Sequence, residues 1–119
     1  MSNFRYRLRE SAKILAIGEN DVKNRILLAC TQHFFLATPF LEDNLPKYFV
    51  DAWETIFNEL SKKDWKEYGI EGNKLQATLY RMHKKTASRI AEQIWKLFIE
   101  YEEFLKGNFT ISDDERAYK

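Results

Sequence analysis

Cys30 and His33 stand three residues apart in the most apolar stretch of this chain, and on a helix that spacing turns both toward one face. A thiolate and an imidazole so placed could begin a zinc site, but zinc normally needs three or four such ligands. The other soft ligand, His83, lies far away in sequence. A mid-helix apolar position also raises a thiol's pKa, which opposes the thiolate that a metal or a nucleophilic mechanism requires. The expectation is therefore a buried cysteine and a hydrogen-bonded histidine, with no metal and no cofactor. No Gly-rich phosphate loop, G-x-S-x-G elbow or H-E-x-x-H pair occurs. Glu102-Glu103 and Asp113-Asp114 fall on an outer helix side and in a polar tail, where nothing would shift their pKa values. The chain reads as non-enzymatic.

Charge suggests a different chemistry. The net charge of +1 hides an alternation: residues 74–91 carry Lys74, Arg81, Lys84, Lys85 and Arg89 with no acid, and residues 1–17 carry four cations and one acid. Residues 18–73 and 92–119 are acidic on balance. Arg5, Arg9 and Lys13 repeat at i, i+4 and i+8, which stacks them along one side of a helix, and Arg7 adds a fourth cation. If that helix lay beside the turn at 83–89, it would join Arg81, Lys84, Lys85 and Arg89 in one positive patch. With Tyr6 and Tyr80 interleaved, the patch could hold nucleic acid through phosphates and stacking. Alternatively, the basic segments pair with the acidic ones, within the fold or across a dimer. A helix-turn-helix over Leu75–Trp95 suits the charge, but its second helix is longer and more apolar than a recognition helix needs.

Helical ribonucleases of the HEPN type use an Arg, four to six residues and then a His. Arg25 and His33 have seven residues between them, and Arg81 and His83 have one. The motif is absent as written, and the resemblance stops at size and helix content. A ribonuclease activity centred on Arg25 and His33 is the third reading, after protein contact and nucleic-acid binding.

The elements that would position these residues are helical. Of 119 residues only four are Gly and two Pro, which argues against the many tight turns of an all-β fold. The pattern predicts an all-α, compact bundle of four or five helices, with residues 1–107 as one domain and 108–119 as a polar, acidic tail. The first helix spans 3–17, with Phe4, Leu8, Ala12 and Leu15 inward. A second, capped by Asn20, runs to about Thr38, where Pro39 stops it. It is apolar nearly all round and so central. Phe40 and Leu41 lie in a connector that folds back over the core. The third helix occupies about 46–61, with Pro46 in its first turn and Phe49, Trp53, Ile56 and Leu60 inward. Residues 61–73 form an irregular segment in which Trp65 and Tyr68 either pin the loop to the core or present a binding surface. A short helix with Leu75, Leu79 and Met82 follows, and His83, Lys84 and Lys85 suit its C-terminus.

The spine is Thr86–Lys106. Ala87, Ile90, Ile94, Leu97, Tyr101 and Phe104 recur at spacings of three and four, Thr86 can cap the start, and Gly107 supplies the positive φ that ends a helix. A break before Thr86 is preferred over one helix from 73 to 106. Phe109 and Ile111 are candidates to dock back from the tail. Trp95 and Ile99 fall on the flank of the main stripe, so the apolar arc is wider than one packing partner requires. Either another helix of the chain covers that flank or a second copy does, and in a bundle of this size intramolecular cover is the expectation. Trp and Tyr at such positions favour a protein partner or self-association as a homodimer. With one cysteine, no N-terminal apolar signal segment and no apolar run near the ~20 residues that span a bilayer, a cytoplasmic protein without membrane contact is expected. The leading expectation is a small cytoplasmic adaptor or regulatory subunit working by protein–protein contact.

Overall fold

Ala87, Ile90, Ile94, Leu97 and Tyr101 are buried along the longest helix, α5 (Lys84–Leu105), against which the first three helices pack. The computed structural model describes residues 3–17, 21–37, 39, 45–61 and 74–110. Every regular element among them is helical: α1 (Asn3–Ile17), α2 (Val22–Gln32), a 3-10 turn (Phe34–Leu36), α3 (Lys47–Leu60), α4 (Lys74–Arg81) and α5. The all-α bundle with a long C-terminal spine is thus the fold. The Asn20 cap, Phe40, Leu41, Trp65, Tyr68 and Ile111 lie outside the described residues.

The end of α5 follows its sequence signal. Gly107 has φ 83°, its N–H donates to the Phe104 carbonyl at 3.0 Å, and the Asn108 N–H donates to Glu103 at 2.9 Å. These two bonds form a Schellman motif, with glycine at the position where a Cβ would be strained. The chain also breaks before α5: Met82 N–H bonds Leu79 at 3.2 Å and His83 is extended.

Three boundaries differ from the sequence expectation. α2 is capped by Asp21, whose side chain accepts from the Asn24 N–H at 3.0 Å. It stops at Gln32 rather than Thr38. The apolar run continues through Phe34, but the Phe34 carbonyl accepts from the Trp53 indole at 3.0 Å and the Gln32 carbonyl from Arg7 at 3.0 Å. These tertiary donors replace the helical ones and let the chain tighten into the 3-10 turn. α5 begins at Lys84, with His83 at the cap, not Thr86. Lys84 and Lys85 therefore stand in the first turn of α5 instead of ending α4, at the pole of the helix dipole that disfavours cations.

Two aromatic clusters close the core. Phe49 meets Tyr48, Tyr101, Phe104 and Phe109 with ring centroids 5.0–6.0 Å apart. Phe109 does dock back from beyond Gly107. One turn further along α3, Trp53 stacks against Phe34 at 5.6 Å and Phe57 at 5.0 Å.

Candidate protein interface

α1 and α3 grip α5 on two sides and leave a strip between them. Arg5 at the start of α1 pairs with Glu102 near the end of α5, while Leu15 and Ala16 share a groove with Ala91 and Glu92. The two helices are therefore antiparallel. On the α3 side, the Tyr48 hydroxyl donates to Glu100 at 2.7 Å. Between these lines of contact, Lys85, Arg89, Glu92, Lys96, Ile99 and Glu103 follow one another at steps of four and three. Trp95 lies beside them, toward α1. Trp95 is 43% exposed and Ile99 40%. Among the described residues no helix covers them, so the intramolecular cover expected of a small bundle is not provided there.

Below Trp95 runs a groove of about 340 Å³, with Leu15, Val22, Ala91 and Trp95 as its apolar lining and Arg25 and Glu92 as polar members. Its wall is braced by Arg25, whose Nη1 donates to the Leu15 carbonyl at the end of α1 at 2.6 Å. A second concavity of about 440 Å³ adjoins it over Lys85, Ser88, Arg89 and Glu92. This arrangement, with half-exposed apolar residues among charged ones, suits a protein surface better than it suits a small polar substrate.

The α1 cations of the expected patch have acidic neighbours, and Arg5 lies far along α5 from Lys85. Arg5 makes a two-pronged contact with Glu102, Nε to Oε2 at 2.8 Å and Nη2 to Oε1 at 2.9 Å. The bonds from Arg5 hold the Glu102 carboxyl below the usual carboxylate range. Arg9 and Lys13 share Glu10 at 3.6 and 3.5 Å, and the Arg9 guanidinium also lies 5.7 Å from the Tyr6 ring centre. Arg81 ends α4, and Lys84, Lys85 and Arg89 are exposed at the start of α5. Glu102, the partner of Arg5, is seventeen residues beyond Lys85, about 26 Å along the helix axis. The basic segments are thus partly neutralised within the fold.

Arg7 is a residue that the sequence pattern misplaces. It reads as one more exterior cation, yet it sits half-buried between α1 and the end of α2. Its Nη1 donates to the Gln32 carbonyl at 3.0 Å and lies 3.1 Å from His33 Nδ1. Its Nε is buried without a hydrogen-bond partner among the described residues. The only hint is that Arg7 directly precedes buried Leu8, which puts it on the rim of the inward stripe.

Because the guanidinium can only donate, His33 accepts at Nδ1 and carries its proton on Nε2. Desolvation, with the nearby Arg7 charge adding to it, lowers the His33 pKa; Glu10 acts in the opposite sense. The unfolded imidazole therefore binds protons more readily than the folded one. Stability is highest above the ordinary histidine pKa and declines as pH falls through and below it, until the folded imidazole too is charged. Urea melts from neutral to mildly acidic pH should show a shallower decline for His33→Gln than for the wild type.

Arg25 and His33 are not brought together. Eight residues, or about 12 Å of helix, separate them, and each is bound to a different part of α1. Cys30 is fully buried, and burial pushes its thiol pKa far up, opposite to what a nucleophile needs. Among the described residues, no three His, Cys, Asp or Glu side chains gather where they could hold a metal ion. No helix among them is long and apolar enough to cross a membrane. No protein-family model, curated protein or solved structure matches this chain.

Proposed function

We propose that this chain is a small cytoplasmic interaction protein, an adaptor or regulatory subunit that works by contact rather than catalysis, and that it docks through the outward strip of α5. The observation that carries this reading is the half-exposed pair Trp95 and Ile99, set over a groove and flanked by charges of both signs. A large aromatic at the centre of a polar rim is the usual composition of an interface hot spot.

A photo-crosslinking residue at Ile99, with one at exposed Asn58 on the outer side of α3 as control, tests the surface in cells. Discrete protein adducts at position 99, absent at 58 and lost when Trp95→Glu is added, are expected. Equal labelling at both positions, or adducts indifferent to Trp95→Glu, would remove the reading. Circular dichroism of Trp95→Glu shows whether the fold is kept, as expected for a side chain nearly half exposed.

Nucleic-acid binding has a narrower basis, in the exposed Lys84, Lys85 and Arg89. It would be recognised by material absorbing at 260 nm that co-purifies with the protein and is stripped by salt.

A further inference from the structure

We infer that the partner seated on α5 is a second copy of this chain, with the two α5 helices packed antiparallel across a two-fold axis near residue 94. The inference rests on the reading of α5 as a docking face and goes further by naming the occupant and its register. It begins with spacing. Lys85, Arg89, Glu92, Lys96, Ile99 and Glu103 step by four, three, four, three and four, the interval of a coiled-coil seam. That seam lies midway between the sides gripped by α1 and α3, where a further helix has room.

Charge selects the partner. With the axis near residue 94, Lys85 of one copy faces Glu103 of the other, Glu92 faces Lys96, and Arg89 lies across Ile99. Each pairing occurs twice by symmetry, as an isologous interface requires. The opposite charges meet without a shift in register. Trp95, one position off the seam, approaches its own counterpart near the axis and supplies an apolar centre.

Most of the same charges are poorly provided for within one copy, the exception being Glu103, which accepts from Asn108 Nδ2 at 3.1 Å. Lys85, Arg89 and Glu92 have no ion pair among the described residues, and Lys96 reaches toward Glu100 only at 3.8 Å. Lys85 stands in the first turn of α5 and Glu103 in its last, each beside the helix pole of its own sign. An antiparallel neighbour brings to each both an opposite charge and the opposite pole. A heterologous partner would need to present the same charge sequence by coincidence, whereas a second copy presents it necessarily.

Sedimentation velocity over a concentration series, with the full chain, tests the register. The wild type should dimerise, more weakly as salt rises, because exposed ion pairs are screened. Glu92→Lys and Lys96→Glu should each weaken the dimer roughly tenfold by opposing like charges across the axis. The double variant Glu92→Lys/Lys96→Glu should regain most of that affinity. Surface substitutions of this kind leave folding intact, which circular dichroism verifies.

A wild type monomeric at every concentration would overturn the inference, as would single variants that dimerise unchanged or a double variant that fails to recover. The docking reading fails separately. A monomer whose Ile99 adduct has the mass of a different protein would overturn the second copy and keep the face. A chain with neither dimer nor adduct would overturn both.

Discussion

Phe49→Ala is expected to destabilise the fold by about 3–5 kcal/mol, the range for truncating a buried phenylalanine. Phe49 is fully buried at the meeting point of α3, α5 and the segment after Gly107. Tyr101 meets it edge-on at 5.0 Å, and the same Tyr101 ring receives Phe4 of α1 at 5.1 Å. One side chain thus holds three parts of the chain together. Its removal opens a cavity whose lining of rigid rings cannot easily collapse, which places the cost toward the upper end of the range. For a 119-residue chain, total stability is on the order of 6–18 kcal/mol, so this single change removes a large share. Urea denaturation measures it directly. Phe49→Leu, which leaves less empty volume, should cost markedly less; if the two variants are equally destabilised, cavity formation is not the cause. The effect bears on function because the C-terminal half of α5, with Ile99 and Glu103, is anchored through Tyr101 and Phe104.

Features set by local chemistry were legible in the sequence. The α5 stripe announces itself because each buried residue returns after three or four positions, and Gly107 marks the end because only glycine occupies that φ without strain. The excess of apolar surface at Trp95 and Ile99 also follows from the helical wheel, although whether the chain itself would cover it does not. The less legible features depend on contacts between distant segments. Arg5 and Glu102 are 97 residues apart, so nothing near Arg5 indicates that its charge is matched. Arg7 differs from Arg5 and Arg9 only by its rotation about α1, and that rotation places it against the end of α2. At the start of α5, His83 and Thr86 could both have preceded the first turn. The phase of the buried stripe does not distinguish them, since it begins only at Ala87.

Trp53→Ala is the second large loss expected, again about 3–5 kcal/mol, and the more conservative Trp53→Phe separates its two causes. The indole packs parallel to Phe34 and Phe57, and its Nε1 donates to the buried Phe34 carbonyl at 3.0 Å. Phenylalanine keeps most of the stacking but has no donor, so that carbonyl keeps only the Ala37 N–H at 3.1 Å and loses the other of its two bonds, at a cost of about 0.5–1.5 kcal/mol. The hydrogen bond also explains why α2 ends where it does. Phe34 lies just beyond the last turn of α2, and its carbonyl accepts from Trp53 of α3 and from the Ala37 N–H of the 3-10 turn rather than from a continuing α-helix. Trp53→Phe should therefore do more than lower the midpoint of denaturation. Amide exchange should quicken at Leu36 and Ala37, whose N–H groups bond the 3-10 turn at 3.0 and 3.1 Å, before it quickens along α5. Uniform loss of protection across all helices would mean that the indole contributes only to global stability, and that the turn is held by the apolar packing of Phe34 alone.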